Sequence, residues 1–378
     1  MLIIMITAIL TLLYFLLLVW FITGWRKLPN FNFVASDNAE YKFSIIISAR
    51  DEAENIENTI LDLAMQDYPS THFEVLIIND SSDDDTLEIA EKLIKERSLQ
   101  HFSVIDLEES KKIAVGKKVA IGKGVETAKY EWIVSTDADC RRSESWLSCL
   151  ASFIAGNDVV FVSAPVSFHD EKSLFSKMQT LEFMSLIGIG AASIGHNRPT
   201  LCNGANLAYK KEIFKEVEAY ADSMHLASGD DEFLLHKVSA KYPGKTGFLK
   251  HKQALVFTKA KAGMRDFFNQ RKRWVSKSTD YKNWHETLMI WLVWLMHLFL
   301  LLNLALSPFD IKYMFTFIIS FMIKLLAEFV FIFPLSRFFN KTSFLILYPF
   351  TAILYIFYVV IIPFAAVFGS FEWKGRKY

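Results

Sequence analysis

The sequence predicts an α/β domain with a mostly parallel sheet, bracketed by membrane-spanning helices. Three observations carry this. Short Ile-rich runs alternate with helical periodicity between residues 43 and 135. Long uncharged stretches occupy both ends of the chain. Acidic residues recur directly after the apolar runs. The 378-residue chain is 52% hydrophobic and 15% aromatic, with 34 Phe, and Lys+Arg and Asp+Glu balance at 41 each. Such a composition excludes a disordered chain, a basic nucleic-acid-binding domain and a collagen-like fibre. Charge is segregated: residues 1–25 carry none and residues 286–368 carry seven, so the soluble density lies between them. The expected organisation is a signal anchor over 1–25, a soluble domain over 26–285, and membrane segments with a basic tail over 286–378.

Leu2 to Ile22 is apolar enough to cross a hydrocarbon core of about 30 Å. It lacks the basic start, short apolar region and small-residue cut site of a cleaved signal peptide. Arg26 and Lys27 follow at once, which places the soluble domain in the cytoplasm by the positive-inside rule. Three further spans are expected at about 287–306, 313–335 and 344–368. Lys324 and Glu328 interrupt the second at a spacing that lets them pair on one helix face. Three full crossings would export the net-basic tail Glu372–Lys377, so the third stretch, with Pro349 and Pro363, is expected to be re-entrant or tilted. The lipid bilayer is thus one partner.

Phe43–Ser48 and Phe73–Ile78 read as buried strands, Phe102–Ile105 and Trp132–Ser135 as two more. Helical spacing fills Asn55–Met65, Thr86–Leu99 and Val115–Ala128. Alternation of this kind implies βαβ units, whose ligands sit beyond the carboxyl ends of the strands. Those ends read Asp51-Glu52, Asn79-Asp80 through Asp85, and Asp137-Ala138-Asp139. Clustered carboxylates repel one another and usually serve a cation or a proton transfer. A hard divalent ion held by one or two carboxylates and by substrate phosphates points to a nucleoside diphosphate or triphosphate. Asp83, Asp84 and Asp85 read as helix caps. Asp51 and Glu52 serve equally as ligands or as the opening of a helix. Cys140, Cys149 and Cys202 are too few and scattered for a disulfide framework or a zinc site, and read as buried thiols.

Motifs from Ser44 to Trp274 resemble, in order and spacing, the membrane-bound family 2 glycosyltransferases, whose nucleotide-sugar-binding fold is called GT-A. The resemblance implies that Asp51 and Glu52 form the opening nucleotide-binding turn and that Asp80 holds the uracil and ribose side of a UDP-sugar. It matches Gly116-Lys117 to the family's glycine–lysine, with Lys117 on the donor side. Asp137 and Asp139 match the D-x-D pair, Asp139 as ligand of Mg²⁺ or Mn²⁺ and Asp137 helping to hold metal and donor. Asn203 and Gly204, in Asn203-Gly204-Ala205-Asn206, resemble the acceptor loop. Asp231 falls on the general base, with Asp230 beside it where the family has glutamate. Gln270-Arg271-Lys272-Arg273-Trp274 fits Q-x-x-R-W, putting Arg273 on the diphosphate and Gln270 and Trp274 along the acceptor. Inversion at the sugar is the implied outcome.

The chemistry is coherent by itself. A departing nucleoside diphosphate needs its charge neutralised, by a metal on Asp139 and a guanidinium such as Arg273. The acceptor hydroxyl needs a carboxylate to take its proton, a role for Asp231, whose pKa the helix dipole is expected to lower and the neighbouring Asp230 to push the other way. Ser173–Ile189 and Arg265–Lys282 are expected to lie against the membrane as interfacial segments. The acceptor is a growing glycan or a membrane lipid; four spans are few for a channel, so a polymer would call for an accessory export subunit. Nucleic acid is not an expected partner. The plasma membrane of a bacterium is the expected location. Three other readings were weighed: a polyprenyl-phosphate sugar transferase, a non-catalytic scaffold of the same fold, and a transporter using Lys324 and Glu328.

Overall fold

The apolar first stretch forms α1 (Leu2–Lys27). In the computed structural model the described residues are 1–33, 40–107, 116–224, 226, 228–280, 283–367, 369, 372–374 and 376–377. Val115, Lys282, Phe368 and Gly375, which fall in expected segments, lie outside them. After α1 the chain alternates: β1 (Phe43–Ala49), α2 (Ile56–Ala64), β2 (Phe73–Asn79), α3 (Thr86–Glu96), β3 (Phe102–Asp106), α4 (Lys117–Thr127) and β4 (Trp132–Asp137). It continues through β5 (Arg141–Arg142), α5 (Trp146–Gly156), β6 (Phe161–Ser163), β7 (Val166–His169) and α6 (Leu174–Gly195). Then come β8 (Leu207–Lys210), α7 (Lys211–Glu216), α8 (Asp230–Lys241), β9 (Thr246–Phe248) and β10 (Val256–Lys259). The remainder is α9 (Met264–Ser276), α10 (Trp284–Leu306), α11 (Ile311–Phe338), α12 (Tyr348–Val367) and the short pair β11 (Glu372–Trp373) and β12 (Arg376–Lys377). Two compact units result, residues 27–170 with 189–260, and residues 1–26 with 171–188 and 261–378.

The first of these units is built on a seven-stranded sheet in the order β3-β2-β1-β4-β8-β6-β9. Its first four strands run parallel, because each is joined to the next by a helix; β8 runs antiparallel to β4 and to β6. β1 is covered on both faces, with Ile45, Ile46 and Ile47 at 0% exposure, which is why it reads as an unbroken apolar run. From β1 the chain winds to β2 and β3 on one side, while β4 lies on the other, so a topological switch point falls between β1 and β4. Ala49 pairs with Asn79, and Ser48 with Asp137, so the acidic loops after β1, β2 and β4 leave the sheet at one edge. Ala120, Ile121 and Val125 of α4 join Leu234, Leu235 and Val238 of α8 in one core with Ile46, Ile133 and Leu207. Burial of these two apolar stripes fixes where the first turns of α4 and α8 lie.

A second sheet, β5-β10-β7, has three strands. The sequence reading had not foreseen its strands, which are only two to four residues long and carry no alternation to detect.

In the other unit, α1, α10, α11 and the stretch Thr342–Ala366 are long and apolar enough to cross a membrane. Lys324 and Glu328 pair at 2.9 Å, as their spacing predicts. Tyr14 of α1 donates to Glu328 Oε1 at 2.5 Å and Tyr348 of α12 to Oε2 at 3.1 Å, so the charge pair is satisfied among neighbouring helices. A short 3₁₀ turn, Thr342–Leu347, leads into a continuous α12. Pro349 falls in its first turn, where a missing N–H costs nothing, and the helix carries Pro363 without breaking.

Candidate active site

The loops after β1 and β2 are laced together. Arg50 Nη1 donates to the carbonyls of Asp80 and Ser81 at 2.8 and 2.9 Å. Asp51 has φ 50°, and its Oδ1 accepts from the Asp83 N–H at 2.9 Å. The Glu52 N–H donates to Thr86 Oγ1 at 2.7 Å, and Glu52 Oε2 accepts from Asn55 Nδ2 at 2.8 Å. Glu52 therefore helps to close the turn into α2. Asp80 is 1% exposed at the end of β2. The capping expected of three aspartates belongs to one: Asp84 accepts from the Thr86 N–H and, through Oδ2, from the Ala53 N–H. Asp85, at the formal cap position, makes no side-chain cap bond.

Around the switch point the strand ends and the first turns of α4 and α8 form an acid–lysine cluster. Lys117, first residue of α4, lies 2.7 Å from Asp137 Oδ1 and 3.4 Å from Asp230 Oδ2. Burial alone would lower the lysine's pKa, but the charges of Asp137 and then Asp230 outweigh it and hold it above its ordinary value. α8 begins at Asp230, two residues before the expected start, because Gly229 at φ 85° serves as its cap. Asp230 and Asp231 thus sit in the first turn, where peptide dipoles favour carboxylates. Asp231 Oδ2 accepts from the Gly204 N–H at 2.9 Å. Gly204 is closely packed: a Cβ there would stand 3.1 Å from Asp230 Oδ2 and 3.2 Å from Lys117 Nζ, so those side chains would have to give by a few tenths of an ångström. Asn203 Oδ1 accepts from the Ala205 N–H at 3.0 Å, closing the loop that presents Gly204.

The turn after β4 is braced on several sides. Thr59 of α2 donates to the carbonyls of Ala138 and Cys140 at 2.6 and 3.1 Å. Buried Arg142 reaches the Cys140 carbonyl at 2.9 Å and lies over Trp146. β10 pairs antiparallel with β5, Val256 opposite Arg142 and Phe257 opposite Arg141, which carries Thr258 to Asp139. Thr258 Oγ1 donates to Asp139 Oδ2 at 3.1 Å. The carboxylates of Asp137 and Asp139 and the Cys140 thiol gather within 4.8 Å of one another. Burial, then the charges of Asp139 and Asp137, push the Cys140 thiol above its usual range. The oxygens fit a hard divalent ion.

Arg142, Thr59 and Thr258 were missed by sequence reading. None is part of a local motif: strand pairing brings Thr258 to Asp139, helix packing brings Thr59 to the Ala138 and Cys140 carbonyls, and Arg142 folds back onto the Cys140 carbonyl. Gln270, Arg273 and Trp274 belong to the other unit, on α9. There Arg271 lies over one face of the Trp274 indole at 4.2 Å, and Phe183 stacks with the same ring at 6.2 Å. Ser173–Ile189, expected as an interfacial segment, is the larger part of α6. None of the three cysteines is bonded; Cys140 and Cys149 are buried and Cys202 is half-buried.

Lys117→Met tests the cluster. Loss of the ammonium leaves Asp137 and Asp230 uncompensated, and should cost about 2 kcal/mol of stability. A lower midpoint of thermal unfolding in detergent is expected, partly restored by adding Asp230→Asn; an unchanged midpoint would count against the bridge. Because Lys117 has a raised pKa, its contribution is complete below the ordinary lysine range. It fades only as pH rises through the raised value, so neutral-pH assays register all of it.

Residues 44–218 match the family model described as Glycosyl transferase family 2, and residues 132–369 match Glycosyl transferase family group 2. The poly-beta-1,6-N-acetyl-D-glucosamine synthase of Staphylococcus epidermidis is 27% identical over 177 residues, 46% of this chain and 40% of that protein. The glycosyltransferase AglE of Haloferax volcanii is 26% identical over 196 residues, 50% of this chain and 58% of that protein. The matches thus span well under two thirds of these relatives. The mannosyltransferase PcManGT of Pyrobaculum calidifontis, solved in complex with GDP-Man and Mn²⁺, aligns with a TM-score of 0.57 at 16% identity. That alignment covers 93% of this chain and 96% of the other, a likeness of fold.

Proposed function

The chain belongs to the family 2 glycosyltransferases, and from that premise we propose that it transfers a sugar, with inversion, from a UDP-sugar to a hydroxyl of a glycan or membrane lipid. The observation that carries this reading is the cluster at the switch point, where Lys117, Asp137, Asp230, Asp231 and Gly204 meet beside the Asp139 turn. Asp139, with Asp137, would hold Mg²⁺ or Mn²⁺, which when bound neutralises the departing diphosphate. Asp51, Glu52 and Asp80 would hold the nucleoside, and Lys117 would set Asp137 and Asp230 against each other's charge. Asp231 would take the acceptor proton, its carboxylate aimed by the Gly204 N–H. Asn203 and Gly204 would border the acceptor. Gln270 and Trp274 would bind it, and Arg273 would meet the diphosphate. Arg26 and Lys27, the last two residues of α1, support a cytoplasmic side for this chemistry, in a bacterial plasma membrane.

The name of the staphylococcal relative makes UDP-N-acetylglucosamine the first donor to try. The test is release of nucleoside diphosphate by lipid-reconstituted protein given UDP-N-acetylglucosamine, UDP-glucose, UDP-galactose, UDP-glucuronate or GDP-mannose, each with Mn²⁺ or Mg²⁺. Release from one UDP-sugar, abolished by chelation, is expected. Release from GDP-mannose alone would overturn the uridine assignment, and release from none, with lipid extract present, would overturn the reading. Partition of labelled product into organic phase or polymer separates a lipid acceptor from a glycan with its export partner.

A further inference from the structure

Within Gln270-Arg271-Lys272-Arg273-Trp274 the most deeply placed side chain is Arg271, which no motif position uses. Its side chain is 2% exposed and faces Glu182 of α6, itself 8% exposed. Arg271 Nε donates to Glu182 Oε1 and Oε2 at 3.1 and 3.2 Å, and Nη2 donates to Oε2 at 2.6 Å. The third nitrogen, Nη1, donates to Gln270 Oε1 at 2.5 Å. The guanidinium lies over Phe267 at 4.5 Å and over Trp274 at 4.2 Å. Tyr358 of α12 packs its ring against Phe267 at 5.7 Å and stands beside the same Glu182.

We propose that Arg271, clamped by Glu182, is a positioning residue that sets Gln270 and Trp274 for the acceptor, and that Tyr358 makes α12 part of the clamp. The inference rests on the glycosyl-transfer reading for the identity of what is bound. A buried ion pair contributes little net stability, because desolvating both charges offsets their attraction. What a planar fork supplies is direction: three nitrogens hold two partners, Glu182 and Gln270, in one plane, and no other side chain does this. Two consequences follow for the motif. Gln270 spends its carbonyl on Arg271, so it turns its amide N–H groups to the ligand and reads an oxygen acceptor, a sugar hydroxyl or phosphate oxygen. Trp274 has one face covered by the guanidinium, so a sugar ring meets the rest of the indole.

The test uses Arg271→Lys in the full chain, which keeps the charge and loses the fork. Hydroxyl-radical footprinting read by mass spectrometry should show Trp274 oxidation rising about threefold while other tryptophans stay unchanged, since the indole loses its cover. Acceptor KM should rise about tenfold with kcat within about threefold, the signature of a misplaced binding group. Affinity for UDP with Mn²⁺ should stay as in the parent. Unchanged Trp274 oxidation with an unchanged acceptor KM would overturn the proposal, as would equal losses in kcat and in UDP affinity. Should Arg271→Lys fail to accumulate in membranes, Tyr358→Phe, which deletes one hydroxyl, carries the same readouts on a smaller scale. If the parent transfers no sugar, the glycosyl-transfer reading fails, and the Trp274 footprint alone still decides the clamp.

Discussion

Asp231→Asn is expected to abolish sugar transfer while UDP continues to bind with unchanged affinity. The substitution keeps an oxygen able to accept from the Gly204 N–H, at 2.9 Å in the parent, so the loop and the first turn of α8 should hold their places. What disappears is the only property a base needs, the capacity to take a proton. General-base contributions are about 10²–10⁴-fold, and a loss of that size in kcat at constant nucleotide affinity is the expected result. Because Lys117 neutralises Asp230, the neighbour is not a ready substitute for the missing base. Asp230→Asn should differ in kind, loosening Lys117 and lowering thermal stability as well as rate. Turnover in Asp231→Asn within a few-fold of the parent would overturn this assignment. Titration calorimetry with UDP and a coupled release assay on the same preparation separate the two quantities.

Asp139→Ala carries the second large effect, on donor binding. Asp137 already gives Oδ1 to Lys117 at 2.7 Å, whereas Asp139 has, among the described residues, only the neutral hydrogen-bond partners Thr258 and Cys140. Asp139 is therefore the carboxylate whose charge is left for a cation. Its removal should weaken Mn²⁺-dependent UDP binding at least about 100-fold and make the remaining affinity insensitive to chelation. Thr258→Val, which deletes one hydroxyl, should reduce Mn²⁺-dependent affinity by a smaller factor if orientation of Asp139 matters. UDP binding by Asp139→Ala that still rises with Mn²⁺ as in the parent would transfer the metal role to Asp137 or exclude both.

Much of this was readable from the chain. The unbroken runs at β1 and β2 could only be strands covered on both faces, and acids after three successive strands had to share an edge. Asp137-x-Asp139 needed no structure to stand out, since no helix followed it closely enough to claim it as a cap. Local signals failed where the partner was distant. Nothing near residue 258 marks a threonine that reaches Asp139, and nothing in a run of three basic residues distinguishes Arg271 as the buried one.

By itself, then, the sequence determined the family of the chain and the sheet edge at which the acids after β1, β2 and β4 gather. Strand and helix periodicity and motif spacing are local properties, written along the chain. Tertiary structure alone decided how charges are paired. Lys117 bridges Asp137 and Asp230, Thr258 meets Asp139 across a strand pair, and Arg271 turns inward to Glu182. Such pairings depend on the packing of elements far apart in sequence, and a charge buried by that packing must find whatever partner the fold brings within reach.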